Sequence, residues 1–198
     1  MTHALCIGIF VGGAGRRMGG VPKGLLRVPD GSETLIARLL RVCRSAAPEA
    51  KLYLIGGASQ YAELYADLGL SALCDDPAQV GPIGGLRALL LQACKDQSRL
   101  AVALACDLPF IHETVIYSLL RPLEKAARVP YVAGRPQPLA AAYAPISALS
   151  AVDRALALGQ HALMHVLDQL GNDVERSEFD QAQEFALRDW DTPEDMRG

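Results

Sequence analysis

The sequence predicts an α/β fold in three layers, with helices on both faces of a Rossmann-like, mostly parallel sheet. In the first half of the chain, short apolar segments that end at glycine or aspartate alternate with segments of helical periodicity. This alternation is typical of βαβ units, whose strands run parallel. The length of 198 residues suits a single domain that spans 1–198.

Four apolar runs in the first half predict strands that are buried on both faces, because each run is short and continuous. They lie at 5–11, 52–55, 72–74 and 100–106. Apolar residues at helical spacing predict the helices that connect these strands. They lie from 34 to near Pro48, at 61–68 and at about 84–93.

The last third of the chain is less regular. It is predicted to hold strands at 131–133 and 139–143 and helices near 149–158 and 161–170. The acidic run 173–195 predicts a solvated surface. His161 and His165 are expected in surface or packing roles, and Trp190, the only tryptophan, as a packing anchor for the tail.

The composition is that of a folded protein, since 51% of the residues are hydrophobic and 21% are charged. The net charge of −3 and the lack of a long apolar run argue against nucleic acid or a membrane as partner. Residues 1–44 carry seven basic and two acidic side chains, a net +5, which leaves −8 on the rest. The five cysteines, odd in number and without a C-x-x-C pair, predict free core thiols in the cytoplasm.

Functional residues are expected directly after strands, because ligands of an open α/β sheet bind outside the carboxyl ends of its strands. Three features meet that condition. They are the loop within 8–24, which contains seven glycines, the pair Asp75 and Asp76, and Asp107.

The glycine-rich loop predicts a phosphate-binding site. Glycines let backbone N–H groups approach phosphate oxygens, and Arg17 and Lys23 supply positive charge. The spacing of Gly13, Gly15 and Gly19 is one residue too long for a dinucleotide fingerprint, which disfavours a dehydrogenase, and Lys23 lacks the context of a Walker A lysine. On these residues alone, a solvated surface loop is the alternative.

Asp107 places a carboxylate at the end of the predicted strand 100–106. Such a carboxylate can hold Mg²⁺, which binds through one or two carboxylates together with substrate phosphates. Capping of the following turn is the alternative role. The cationic loop strengthens the metal interpretation, because a polyphosphate site needs both positive charge and a metal carboxylate.

Residues 10–26, FVGGAGRRMGGVPKGLL, carry a resemblance to a known family. They are similar to the L-A-G-G-x-x-x-R-M-G-G-x-D-K-x-L-L signature of the molybdenum cofactor guanylyltransferases, the MobA family of nucleotidyltransferases. Four later segments resemble further motifs of this family, in the same order. They are GPIGGL at 81–86, CDLPF at 106–110, RPQPLAAAY at 135–143 and DTPED at 191–195.

The resemblance implies the nucleotidyltransferase fold, with residues 1–110 as a nucleotide-binding half and 111–198 as an acceptor-binding half. The activity it implies is transfer of GMP from Mg²⁺-bound GTP to the terminal phosphate of molybdopterin. The products would be the guanine dinucleotide cofactor and pyrophosphate. Because the acceptor phosphate is already a nucleophile, catalysis is expected to consist of in-line positioning and charge neutralisation.

The resemblance also implies roles for individual residues. Arg17 and Lys23 would neutralise phosphate charge, Asp107 would bind Mg²⁺, and these three residues would be the catalytic set. Asp75 would contact the guanine or the ribose. The nucleotide-binding residues implied are Phe10, Val11, Gly12, Gly13, Lys23, Gly56, Asp75 and Asp107.

Three positions depart from the family pattern. Pro22 stands where the family has aspartate, Gly56-Gly57 where it has asparagine, and Asp191 where its terminal motif begins with asparagine. Two alternatives therefore stay open: an enzyme that uses CTP or another phosphorylated acceptor, and a nucleotide-binding homologue that has lost turnover. The expected partners are GTP and molybdopterin, with proteins that deliver molybdopterin or accept the product as further candidates.

Overall fold

The computed structural model describes residues 5–11, 22–28, 31–56 and 70–190. Within these ranges, eight strands form one mixed sheet. The strands are β1 (Leu5–Phe10), β2 (Lys51–Ile55), β3 (Ser71–Leu73), β4 (Leu100–Ala105), β5 (Ala127–Val132), β6 (Arg135–Pro136), β7 (Ala140–Tyr143) and β8 (Val174–Ser177).

The strand order is β3-β2-β1-β4-β7-β5, and both β6 and β8 pair with β5. Strands β1 to β4 are parallel to one another, as is β8 to β5, whereas β7 runs antiparallel to both of its neighbours. The predicted fold class is confirmed. The four parallel strands that it rested on lie where the sequence predicted them, within one or two residues at each end.

Six α-helices in the described ranges cover the two faces of the sheet. They are α1 (Leu35–Ala46), α2 (Pro82–Lys95), α3 (Glu113–Leu120), α4 (Pro145–Ala157), α5 (Leu163–Leu170) and α6 (Gln181–Ala186). Buried residues of α1, α3 and α6 pack on one face, and those of α2, α4 and α5 on the other. The predicted helix 61–68 lies outside the described residues.

The alternation of side chains along β1 supplies both cores. Cys6 and Phe10 point to the face covered by α2, whereas Ile7 and Ile9 point to the face covered by α1. Gly8 lies directly beneath α2, and a Cβ atom there would come within 2.8 Å of a Leu89 methyl group. The absence of a side chain at this position therefore lets α2 pack close to the sheet.

Strand β5 begins four residues before the predicted strand 131–133, and Arg128 and Pro130 in its middle obscure the apolar pattern. Arg128 is only 3% exposed because Glu175 of β8 pairs with its guanidinium through two contacts of 2.9 Å. The same guanidinium donates to the carbonyls of Arg121 and Pro122 at the end of α3. A charged residue is thus tolerated inside the sheet because its donors are used.

The acidic run 173–195 is a solvated surface, as predicted, at Asp173, Glu178, Asp180 and Asp189, which are exposed, but not at Glu175, which pairs with the buried Arg128. It contains β8, which adds a parallel strand beside β5, and helix α6. Helix α6 begins with a capping box in which Asp180 accepts from the Gln183 N–H and Gln183 accepts from the Asp180 N–H. That pair of residues is a sequence signal for the helix start.

All five cysteines are free thiols. Cys6, Cys43 and Cys106 are buried as predicted, whereas Cys94 is half-buried and Cys74 is exposed. Among the described residues, none of the helices combines the length and hydrophobicity needed to cross a bilayer.

Candidate functional site

The carboxyl ends of β1, β2 and β4 meet at one edge of the sheet. The Val11 N–H donates to the Ile55 carbonyl at 3.0 Å, and the Cys106 N–H donates to the Phe10 carbonyl at 3.1 Å. Phe10 and Val11, two of the predicted nucleotide-binding residues, therefore lie between the ends of the neighbouring strands. This edge is where an open α/β sheet binds its ligands.

Lys23 and Asp107, both predicted from the sequence, form an ion pair at this edge. Lys23 Nζ lies 2.9 Å from Asp107 Oδ2, although 84 residues separate them in the chain. Their side chains are 21% and 17% exposed, so the pair is partly shielded from water but can still be reached by a ligand.

Local backbone structure presents each of these two side chains. Lys23 begins a short 3-10 turn, Lys23–Leu25, in which the Leu25 N–H donates to the Pro22 carbonyl at 2.9 Å. Pro22 is well suited to precede this turn, because its fixed φ matches the value of −57° found there. Asp107 follows β4 by two residues, and the end of β4 is held by the bond from the Ala105 N–H to the Leu139 carbonyl.

Cys106, the neighbour of Asp107, carries a thiol whose burial disfavours the reactive thiolate form. Burial, followed by the negative charge of Asp107, raises the pKa of its thiol to about 12. The positive charge of Lys23 and a hydrogen bond from the Gly24 backbone act in the opposite direction but do not cancel these effects. The thiol therefore remains protonated near neutral pH. Only the thiolate form of a cysteine is nucleophilic.

Asp75 lies at the same edge, two residues after β3 and against the first turn of α2. The following residue, Asp76, donates its N–H to the Gly84 carbonyl at 3.1 Å, which ties this segment to the helix. Burial raises the pKa of the Asp75 carboxyl above its ordinary value.

Gly85 is the point at which three of these strand ends converge. A Cβ atom at Gly85 would lie 2.8 Å from Phe10 Cε1, 2.7 Å from Ile55 Cγ2 and 3.2 Å from Asp75 Oδ1. The structure thus brings together Phe10 and Asp75, two of the predicted nucleotide-binding residues. It also gives a physical reason for glycine in the GPIGGL segment, because any side chain there would displace all three neighbours.

Gly56 directly follows β2 and has a φ of +72°. Its N–H donates to the Leu73 carbonyl at 3.2 Å, at the end of the neighbouring β3. A positive φ favours glycine, and asparagine is among the few other residues that tolerate it. The backbone of Gly56 therefore lies at the same edge as Asp75.

Several predicted site residues lie outside the described ranges. They are Gly12, Gly13 and Arg17, and Gly57 and Asp191, which depart from the family pattern, also lie outside these ranges. Their proposed contacts rest on the sequence alone.

Asp107 offers carboxylate oxygens, the ligand type that Mg²⁺ binds, and one of them accepts from the Lys23 ammonium. Over the described ranges, no three or more His, Cys, Asp and Glu side chains come together as a metal-binding group. Mg²⁺ at this edge would therefore depend on Asp107 together with oxygens of the substrate, which is how Mg²⁺ is held in many phosphate-transfer sites.

The two histidines on or next to α5 show no arrangement for metal binding. His161 is exposed, and His165 Nδ1 lies 3.5 Å from Asp168 Oδ2 on the outer surface of the helix. These positions agree with the predicted surface roles.

Trp190 is buried, which confirms its prediction as a packing anchor. The sequence did not predict that its backbone N–H donates to the Asp107 carbonyl at 3.1 Å. A hydrogen bond between residues 83 positions apart leaves no local sequence pattern, so this link to the site appears only in the folded chain.

A lysine and a strand-end carboxylate that meet at the carboxyl edge of an α/β sheet have the chemistry of a site for a phosphorylated ligand and its metal ion. The family model of the MobA-like NTP transferase domain matches residues 7–174. The chain belongs to this family and is a nucleotidyltransferase.

Two curated relatives extend the match along most of the chain. The probable molybdenum cofactor guanylyltransferase of Opitutus terrae is 31% identical over 198 residues, which cover 98% of this chain and 94% of the relative. The molybdenum cofactor guanylyltransferase of Pseudomonas putida is 34% identical over 162 residues, or 80% of each chain.

Solved structures share the fold. Molybdopterin-guanine dinucleotide biosynthesis protein A from Archaeoglobus fulgidus superposes with a TM-score of 0.75 at 22% identity, covering 96% of this chain and 94% of that one. The 2-C-methyl-D-erythritol 4-phosphate cytidylyltransferase of Thermus thermophilus gives a TM-score of 0.66 at 18% identity, with the same coverage.

Proposed function

We propose that this nucleotidyltransferase transfers GMP from GTP to the terminal phosphate of molybdopterin, with or without bound molybdenum, and releases pyrophosphate. The Lys23–Asp107 pair carries the proposal, because it supplies a phosphate-binding cation and a metal-binding carboxylate at the ligand edge of the sheet. The acceptor and the base are supported by the relatives named as molybdenum cofactor guanylyltransferases, one of which matches over nearly its whole length.

In the proposed reaction, an oxygen of the molybdopterin phosphate attacks the α-phosphorus of GTP. The new P–O bond forms as the bond from the α-phosphorus to the bridging oxygen breaks, and the electron pair leaves on pyrophosphate. No side chain has to accept a proton from an already ionised phosphate. The protein therefore acts by orientation and by neutralising charge.

Each site residue has one task in this scheme. Lys23 moves from Asp107 to the phosphates, and Arg17 adds a second cation. Asp107 would hold Mg²⁺, which would supply positive charge to the phosphate oxygens. The backbones of Phe10, Val11, Gly12, Gly13 and Gly56 line the nucleotide, and residues 111–198 hold the molybdopterin.

Asp75 is proposed to select the nucleoside. An ionised carboxylate is purely an acceptor, and guanine offers the N1–H and the exocyclic amino group as donors on one edge. The ribose hydroxyl groups are the other donors that Asp75 could bind. Its carboxylate lies at the ligand edge of the sheet, next to the first turn of α2.

The test is pyrophosphate release by the purified protein with molybdopterin, Mg²⁺ and each nucleoside triphosphate in turn. Turnover with GTP, and with none of the other nucleoside triphosphates, supports the proposal. Turnover with CTP would instead identify a cytidylyltransferase. The Thermus thermophilus protein that shares the fold is named as a cytidylyltransferase. Binding of GTP without turnover would contradict the enzymatic role. The free thiols of all five cysteines support the cytoplasm, a reducing compartment, as the place of action.

A further inference from the structure

We propose that Trp190 is a positioning residue, which holds the segment that carries Lys23 against the segment that carries Asp107. The inference rests on the proposed function, because it assigns Trp190 to the alignment of the two groups that act on the phosphates. Trp190 contacts both segments, with its backbone and with its ring. It acts through the backbone and the hydrophobic residues on either side of the pair.

The first contact is made by the backbone of Trp190. Its N–H donates to the carbonyl oxygen of Asp107 at 3.1 Å, and the residue is only 3% exposed. This bond fixes the peptide group of Asp107 itself. The end of the described chain is thereby attached to the turn that follows β4.

The second contact is made by the indole ring on the Lys23 side. Trp190 packs with Val28 and Leu35, both almost fully buried, and with the half-buried Leu26. The Leu26 N–H donates to the Lys23 carbonyl at 3.0 Å, and the Leu35 N–H donates to the Leu26 carbonyl at 2.9 Å. The indole is therefore connected to the turn that presents Lys23 through its packing against Leu35 and then through these two hydrogen bonds.

The third contact returns to the Asp107 side. Phe110, three residues after Asp107, meets the Trp190 ring edge to face, with a centroid distance of 6.5 Å and an interplanar angle of 87°. Phe110 also packs against Phe185 of α6, with the ring centroids 4.6 Å apart. Trp190 thus lies between the two segments and contacts both.

This cluster is separate from the two main cores of the protein. Its buried members are Val28, Leu35 and Trp190, whereas each main core contains more than twenty buried residues. Removal of the indole should therefore loosen the two site segments before it unfolds the sheet. Catalytic groups tolerate little displacement, and a shift of about 1 Å can cost about 100-fold in rate.

The experiment compares Trp190→Ala and Trp190→Phe with Leu90→Ala, which opens a cavity in the core beneath α2 instead. Hydrogen exchange of the proteins without added ligand, followed by mass spectrometry, reads the two site segments directly. We expect Trp190→Ala to speed exchange in 22–28 and 105–111 together, and Leu90→Ala to leave both unchanged. Faster exchange confined to residues after 180 would overturn the inference.

Kinetics of the same variants separate positioning from simple loss of folded protein. A smaller folded fraction lowers kcat without altering the Mg²⁺ concentration that gives half-maximal rate. We expect Trp190→Ala to lower kcat by about 10- to 100-fold and to raise the Mg²⁺ concentration that gives half-maximal rate. Trp190→Phe should bring both quantities most of the way back to their wild-type values. Equal Mg²⁺ dependence in Trp190→Ala and Leu90→Ala would overturn the inference. An inactive wild-type protein would refute the proposed function, and the exchange data would still decide the role of Trp190.

Discussion

Lys23 and Asp107 are 84 residues apart in sequence, yet their charged atoms are 2.9 Å apart. The lysine enters from a turn after β1, and the aspartate follows β4, the strand that pairs with β1 along its whole length. The register of these two strands places their carboxyl ends side by side at one edge of the sheet, and Lys23 and Asp107 meet there. The predictions that follow test what this pair and its surroundings do.

Replacement of Asp107 by alanine is expected to abolish nucleotidyl transfer. The variant loses the carboxylate proposed to hold Mg²⁺, and a loss of about 1,000-fold or more in kcat is expected from removal of such charge stabilisation. Pyrophosphate release with Mg²⁺ and GTP measures the effect. Asp153→Asn, an exposed aspartate on α4 that pairs with Arg87, is the control and should retain activity. Turnover near the wild-type rate in Asp107→Ala would refute the metal assignment.

Replacement of Lys23 by methionine should separate catalysis from stability. The ion pair is partly exposed, so its loss should change the free energy of unfolding by less than about 1 kcal/mol. The same change should lower kcat by about 100- to 1,000-fold, because a cation facing the phosphates is removed. Urea denaturation and steady-state kinetics measure the two quantities. A large loss of stability with normal turnover would show that the lysine is structural.

Gly85→Ala tests the convergence of Phe10, Ile55 and Asp75. The new methyl group would meet Ile55 Cγ2 and Phe10 Cε1 at less than 3 Å. We expect a loss of about 1–3 kcal/mol in stability from overpacking, together with weaker binding of GTP, as measured by calorimetry. Ala88→Gly, in the same helix, should cost about 1 kcal/mol through helix propensity and leave GTP affinity unchanged. Unaltered GTP binding by Gly85→Ala would place the nucleoside elsewhere.

The pair of Arg128 and Glu175 predicts a stability change in acid. The hydrogen bonds from Arg128 lower the pKa of Glu175 below its ordinary value of 4.5, although burial acts in the opposite direction. A lowered pKa in the folded state means that the stabilisation is fully present above pH 4.5 and is lost as the pH falls through the native pKa.

Glu175→Gln should remove this acid dependence and destabilise the protein at neutral pH by about 1–3 kcal/mol, because the buried guanidinium loses its charged acceptor. Urea denaturation at several pH values measures both effects. Glu178→Gln, an exposed neighbour, is the matched control. The assignment fails if the two variants show the same dependence of stability on pH.

The parts of the fold that the sequence predicted correctly share a local signal. The parallel strands β1 to β4 are short apolar runs, and α1 and α2 have apolar residues at helical spacing. Strands β5 and β8 lacked that signal. Their polar residues include Arg128 and Glu175, which are accommodated only because each neutralises the other across the strand pair.

The same distinction holds for the candidate site. Glycine content, two cations and a strand-end carboxylate were visible in the sequence, and they identified Lys23, Asp75 and Asp107 as candidates. Neither the contact between Lys23 and Asp107 nor the hydrogen bond from Trp190 has a counterpart in sequence spacing.

The sequence by itself determined the α/β class, the family and the residue types available for phosphate chemistry, because periodicity and short motifs are properties of neighbouring residues. Only the tertiary structure decided which distant groups meet. The folded chain brings Lys23 to Asp107 at the ends of β1 and β4, helix packing gathers Phe10 and Asp75 around Gly85, and the Trp190 N–H reaches the Asp107 carbonyl. These contacts depend on how separate segments pack together, and no single segment of the sequence encodes that packing.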